Sequence, residues 1–395
     1  MPALHRPTAL LLNAGHAIDH MFLLIFATAV ASIAADFGFA HWEDLMPYSV
    51  GAFFLFGVGS VPAGRLGDLW GRRGMMIAFF FGMGASALLA ALAQNAWQLA
   101  AALALLGTFA AIYHPVGIPM LVQHSRNPGL TIGVNGLAGN LGIAVAAVLT
   151  GVLVKYAGWR AAFVVPGLVS LACGVVFLRV VPRESEAPAR RTTRAAVRLS
   201  PALMARLFAV MTCAAVSSSL LFNFTTTGNG QLLRERFAGI VEDPALLGVM
   251  LAGVYAIASF AQVIVGRLID RVPLKRLYLG IVAAQVPLFL LAARAEGWAL
   301  LALQAAFMVT IFGAIPFTDA MIVRFVDDGL RSRVTGMRLA VSFGISSLAV
   351  WLLGPAVKSA GFATLLAAMA GIAGCTLVFI SLLPGEAAVA AEPAA

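Results

Sequence analysis

Polar side chains interrupt the first apolar run of the sequence, and they share one broad helix face. His16 and Asp19 are three residues apart, and His16 and His20 four apart, so all three project to the same side of a helix. Asn13 lies one turn earlier. With a helix starting near Thr8, Asp19 sits ~16 Å along the axis, close to the middle of a hydrocarbon layer ~30 Å thick. A charge at that depth is costly, which makes each such group a functional candidate. A carboxylate and two imidazoles on one buried stripe are groups between which a proton can pass. The alternative is a hydrogen-bonded cluster that ties helices together.

His114 is the second candidate. It stands about eight residues before the end of the fourth apolar run, ~12 Å deep by the same rise, beside Tyr113 and Pro115. The proline removes a backbone donor and frees a carbonyl near Ala111, a break tolerated at membrane depth where it lines a cavity or is otherwise satisfied. Asn135 and Asn140 could hydrogen-bond a substrate or a neighbouring helix. Asp319 and Arg338 flank a short loop at similar depth, which predicts a buried ion pair. His16 and Asp19 could imitate a general base and its orienting partner. No nucleophile motif, metal-ligand set or phosphate-binding glycine loop accompanies them. The expectation is therefore no enzyme, no metal and no cofactor. Cys173, Cys213 and Cys375 all fall in apolar runs and read as packing residues.

These side chains need elements to hold them, and the composition says which. Of 395 residues, 61% are hydrophobic and 11% charged, too apolar for a soluble core to hide. Apolar runs of spanning length recur from end to end. They predict an all-α membrane protein of twelve transmembrane helices: about Thr8–Ala35, Pro47–Ala63, Met75–Ala93, Gln98–Val122, Leu130–Val154, Ala161–Val181, Ala202–Thr226, Pro244–Val265, Leu277–Ala293, Trp298–Val323, Val334–Val357 and Phe362–Leu383. The polar run from Thr225 to Gln231 reads as the frayed end of the seventh helix, with a gate as the alternative. A basic linker, 182–201, divides a six-helix bundle at 1–181 from a second at 202–383, and residues 384–395 read as a disordered tail. Of the 26 Lys and Arg residues, 20 fall on the side of the N-terminus, so the positive-inside rule puts both termini in the cytoplasm. The net charge of +9 is thereby topological, not a footprint for nucleic acid.

Gly64 to Arg73 reads Gly-Arg-Leu-Gly-Asp-Leu-Trp-Gly-Arg-Arg, and Gly266 to Arg276 reads Gly-Arg-Leu-Ile-Asp-Arg-Val-Pro-Leu-Lys-Arg. Gly, Arg, Leu and Asp recur 202 residues apart, with the basic pairs Arg72-Arg73 and Lys275-Arg276 offset by one more. A repeat of half the chain predicts two pseudo-symmetric halves, a common way of building a transporter. With the twelve spans and the basic linker, the motif resembles the charged loop of the major facilitator superfamily. Gly15-His16, Tyr113-His114-Pro115, Gly136 to Gly142 and Gly158-Trp159-Arg160 are similar to a branch that includes fosmidomycin-resistance-type efflux proteins. The resemblance implies a conformational latch at Gly64, Arg65, Asp68, Arg72 and Arg73, with Asp270 as a weaker counterpart. It also implies a secondary transporter of the bacterial-type inner membrane, a monomer carrying a small solute by alternating access; the stripe adds the expectation of proton coupling through Asp19, His16 or His20. An uncoupled facilitator or importer, and a non-transporting sensor, are the alternatives.

Overall fold

A computed structural model of the chain describes residues 6–123, 125, 128–183, 201–269, 271–325 and 328–383. Every regular element described is helical. In hydrocarbon each backbone N–H and C=O must be paired within the protein, and a helix does this inside a single segment. The elements are α1 (Arg6–Asp36), α2 (Val50–Trp70), α3 (Arg72–Ala91), α4 (Ala96–Ala110), α5 (Ile118–Val122), α6 (Pro128–Ala157), α7 (Trp159–Val180), α8 (Pro201–Arg236), α9 (Pro244–Ile269), α10 (Leu274–Ala292), α11 (Gly297–Phe325) and α12 (Asp328–Ser381). Eleven helical runs among the described residues are long and apolar enough to span a bilayer. The last of them is broken at Gly361, whose φ of 75° and ψ of 166° are not helical.

The ends of the helices depart from the sequence reading at three places. α2 does not stop at Ala63 but continues through Arg65 and Asp68 to Trp70. Arg65 is exposed and Asp68 half-buried, so their charges reach out while the backbone stays paired. The turn shrinks to Gly71, whose φ of 99° ends the helix and begins α3 at once. α8 likewise does not fray at Thr226 but runs on to Arg236. The hydroxyls of Thr225 and Thr226 donate to the carbonyls of Leu221 (2.7 Å) and Phe222 (2.6 Å) one turn back, so polar side chains are satisfied inside a continuous helix. The third correction concerns the offset of the basic pairs. Arg73 donates to the carbonyls of Leu178 (2.6 Å) and Val181 (2.7 Å) at the end of α7. Lys275 donates to those of Ser381 (2.6 Å) and Leu383 (2.7 Å) at the end of α12. Arg73 and Lys275 are 202 residues apart, as are Val181 and Leu383. The repeat therefore keeps one register throughout, with Arg73 matched to Lys275.

α6 packs on α1 and α9, α12 on α2 and α8, α3 on α7, and α11 on α9. Glycine allows close crossings here: a Cβ on Gly151 of α6 would lie 2.7 Å from the Pro244 carbonyl oxygen of α9. Ties gather at the end of the bundle where α1 and α6 finish. Lys155 pairs with Asp243, and Lys358 holds Asp44 at 2.8 Å. Trp159 and Arg160 both donate to Asp36.

Candidate functional site

The stripe on α1 faces inward. Asp19 is fully buried, His16 nearly so, and His20 half-buried. What holds them comes from α4 and α6. After Ala110 the fourth helix widens into a five-residue π segment, Tyr113–Gly117, around Pro115. This is the form the proline break takes, and it turns both Tyr113 and His114 toward α1. The His114 ring lies 5.1 Å from His16 and 5.7 Å from His20, centre to centre, and Tyr113 stacks on His16 at 4.7 Å.

Asn135 of α6 is the hub. Its backbone carbonyl accepts from His16 Nδ1–H at 2.7 Å. Its side-chain amide donates to Asn13 Oδ1 and to the Tyr113 hydroxyl oxygen, each at 2.8 Å. The Tyr113 hydroxyl in turn donates to the Leu12 carbonyl at 2.7 Å. The Nδ1–H bond fixes the tautomer of a neutral His16, so Nε2 carries the lone pair. That nitrogen lies 3.2 Å from His20 Nε2. Space for the His16 ring depends on Gly139, where a Cβ would stand 2.8 Å from His16 Nε2.

Other polar atoms here are not hydrogen-bonded. Both carboxylate oxygens of Asp19, His20 Nδ1 and His114 Nε2 have no hydrogen-bond partner among the described residues. The nearest approach is His114 Nε2 to Asp19 Oδ2 at 3.6 Å. Asn140, fully buried on α6, also has neither amide atom bonded. Orphaned buried groups are costly in a medium of low dielectric. The sequence places only His16 and His20 four apart; the fold brings His114 to them, with one ring nitrogen of each within 4.8 Å of the others.

His20 also lines a cavity of about 10 Å³ together with Leu23, Leu24, Phe53, Ile143, Phe222, Asn223, Thr226 and Thr227. Such a space holds one water-sized occupant. The α8 residues on its wall were not foreseen as site residues. Nor was the amide cluster beyond them, where Gln304 donates to the Asn229 carbonyl (3.3 Å) and Tyr255 to that of Thr226 (3.2 Å). The signal was present as uncharged Gln, Asn and Thr inside apolar runs, which a search for charges passes over.

Among the expected latch residues, Arg72 lies 3.9 Å from Asp68 and donates to Gln123 Oε1 at 3.2 Å. A Cβ on Gly64 would meet Pro115 Cβ at 3.2 Å, which sets α2 against the π segment. Asp270 lies outside the described residues. Arg338 is half-buried and acts electrostatically on His114. The side chain of Asp319, its expected partner, lies outside the described residues.

Comparison with known proteins gives a consistent picture. A family model described as Major Facilitator Superfamily matches residues 12–233. Multidrug resistance protein MdtG of Yersinia enterocolitica is 27% identical over 242 residues, covering 59% of this chain and 57% of that protein. The probable actinorhodin transporter of Streptomyces coelicolor is 28% identical over 172 residues, 42% of this chain and 29% of that one. Puromycin resistance protein pur8 of Streptomyces alboniger is 31% identical over 175 residues, 43% and 33% of the two chains. The chain thus spans less than two thirds of the length of each of these relatives. In fold it is similar to the human organic anion transporter MFSD10 (TETRAN), with a TM-score of 0.74 at 13% identity over 96% of this chain and 100% of that one.

Proposed function

The chain belongs to the major facilitator superfamily and is a multi-pass membrane transporter, not an enzyme; from that premise we propose that it exports a small solute across a bacterial inner membrane by alternating access. The helices form two six-helix bundles, with α12 counted as two spans on either side of Gly361. The shared register of Arg73 and Lys275 supports that division. The excess of Lys and Arg at the Arg72 end supports a cytoplasmic placement of that end, with the Asp36–Asp44 end outside. The relatives named for drug resistance and for actinorhodin transport support the export of small organic molecules.

One observation carries the reading. The stripe of Asn13, His16, Asp19 and His20, closed by Tyr113, His114 and Asn135, has Asp19, His16, Tyr113 and Asn135 buried and the others half-buried, and it abuts a cavity walled by α1, α2, α6 and α8. In an alternating-access cycle the solute path would open beside this ion-sized cavity as the bundles rock. Asp19, without a hydrogen-bonded partner, is the group whose charge balance changes with the state of the path. Asp68 and Arg72 latch the cytoplasmic face.

The test is flux. Purified full-length protein is placed in liposomes with a luminal pH dye and offered a panel of aromatic drugs, organic acids and sugars. The expected result is solute-dependent flux in the wild type that falls sharply in Asp19→Asn. A luminal pH change that follows the solute identifies the proton as counter-ion, whereas flux without one assigns the stripe to the cargo. No flux of any compound, with protein shown to be folded, overturns the reading.

A further inference from the structure

The meeting of α1 with the π segment of α4 builds a constellation of which the sequence marks only the four-residue spacing of His16 and His20. His16 Nε2 and His20 Nε2 stand 3.2 Å apart. Two nitrogen ligands on a tetrahedral divalent ion, with bonds of about 2.05 Å, are separated by about 3.3 Å. The pair already has the length of a coordination edge. The three histidine nitrogens all lie within 4.8 Å of one another and close to that edge with at most about 1.5 Å of side-chain movement. Asp19 Oδ2, 3.6 Å from His114 Nε2, supplies a fourth donor.

The surroundings fit ligands more closely than packing residues. His16 donates its Nδ1–H to the Asn135 carbonyl at 2.7 Å. That is the outer-shell bond which orients a metal-bound histidine and leaves Nε2 free to coordinate. A hydrogen bond from His20 to His16 accounts for two nitrogens, but it leaves both Asp19 oxygens, His20 Nδ1 and His114 Nε2 without hydrogen-bond partners among the described residues. A cation held by the three imidazoles and one Asp19 oxygen takes up His114 and that oxygen in one step and gives His16 and His20 a common partner. The adjoining cavity of about 10 Å³ has the size of an ion or its one remaining water.

The geometry points to a binding site for a divalent first-row transition metal, held by one ring nitrogen each of His16, His20 and His114 and by the Asp19 carboxylate. The inference rests on the reading of this stripe as the place where the transporter takes its ion or cargo, and it names the chemical class. Three imidazoles and one carboxylate select the zinc, cobalt, nickel and copper group over magnesium or calcium, which take oxygen ligands. One carboxylate leaves the bound dication with a net positive charge, and Arg338 acts on His114 from α12. Both effects weaken the hold, as a site that must release its ion requires.

Cobalt(II) is the probe, because its visible ligand-field absorption is intense in four-coordinate sites. Full-length protein with the affinity tag removed is stripped with chelator and titrated in lipid nanodiscs. The expected result is one cobalt per chain with a four-coordinate spectrum, displaced by zinc. His16→Gln and His114→Gln each weaken binding about 100-fold or more, since even outer-shell changes cost 10–100-fold. His114→Cys, which restores a donor, recovers binding with an added sulfur-to-cobalt charge-transfer band and guards against a variant that merely misfolds. No cobalt spectrum in the wild type, or one left unchanged in both glutamine variants, overturns the site. Solute flux that persists in chelator-treated liposomes while cobalt binding is absent overturns the metal site and leaves the transporter reading standing. Cobalt binding with no flux of any solute or of zinc supports the site and overturns the transporter reading.

Discussion

Gly354 lies on the first arm of α12, where that arm crosses the short 3₁₀ turn Trp42–Asp44. A Cβ at this position would stand 2.3 Å from the Glu43 carbonyl oxygen and 3.1 Å from two further backbone atoms of the same residue. The obstacle is backbone, so no side chain can swing aside. The turn is also held one helical turn further on by Lys358 on Asp44, at 2.8 Å. In Gly354→Ala the two elements must separate by about 1 Å to restore normal carbon–oxygen contact. Overpacking of this kind costs about 1–3 kcal/mol. The cost exists only while the contact is made, so it biases the protein toward the form opened at the Asp44 end. A coupling of about 1–3 kcal/mol shifts such an equilibrium roughly 5–150-fold. The assay uses the neighbouring tie at the same end. In a background with Cys173, Cys213 and Cys375 changed to serine, Lys155→Cys and Asp243→Cys are joined by a short bis-maleimide. The cross-linking rate should fall at least about 5-fold on adding Gly354→Ala. An unchanged rate in a protein of unchanged thermal stability would refute the argument that this crossing closes the end of the bundle.

Two more outcomes follow from the same geometry. Asp243 has its carboxyl held below the usual carboxylate range, chiefly by the hydrogen bond from Lys155 and then by the Ala245 N–H. Its contribution to the closed end is therefore complete above the free carboxyl value of about 3.9 and is lost as pH falls through the lower, paired value. Closure read by spin-label distances should be flat through neutral pH and drop only on strong acidification, with that drop missing in Asp243→Asn. Asn135→Ala removes both amide donations, leaving Asn13 Oδ1 and the Tyr113 oxygen short of a donor. A loss of about 1–3 kcal/mol is expected, measured by thermal unfolding in detergent, while the backbone bond to His16 survives.

Periodicity and chemistry read well from this sequence where one helix carries both. His16, Asp19 and His20 share a face because of their spacing alone, and the structure keeps them on it. The approach of His114 is another matter. Depth counting placed it level with the stripe, but only the π segment around Pro115 brings the ring within reach of His16. The helix ends were hidden for a related reason. Thr225 to Gln231 looked like an exit from the membrane, because polarity in a sequence does not reveal that hydroxyls will bond the preceding turn or that Tyr255 and Gln304 will cover the backbone. Arg65 and Asp68 looked like a loop, because charge on a side chain says little about the backbone beneath it when the side chain can reach outward. Gly71, not the charges, decides where α2 stops.

Arg73 and Lys275 each tie the third helix of a set to the carbonyl end of the sixth. On the proposed division into two six-helix bundles, each bond closes a bundle on itself, and such a chain should tolerate being severed between them. Residues 6–183 and 201–383, expressed from separate genes in one cell, should meet in the membrane and rebuild the transporter. Loss of Arg73 or Lys275, tolerable when the chain is whole, should then become the difference between reassembly and degradation.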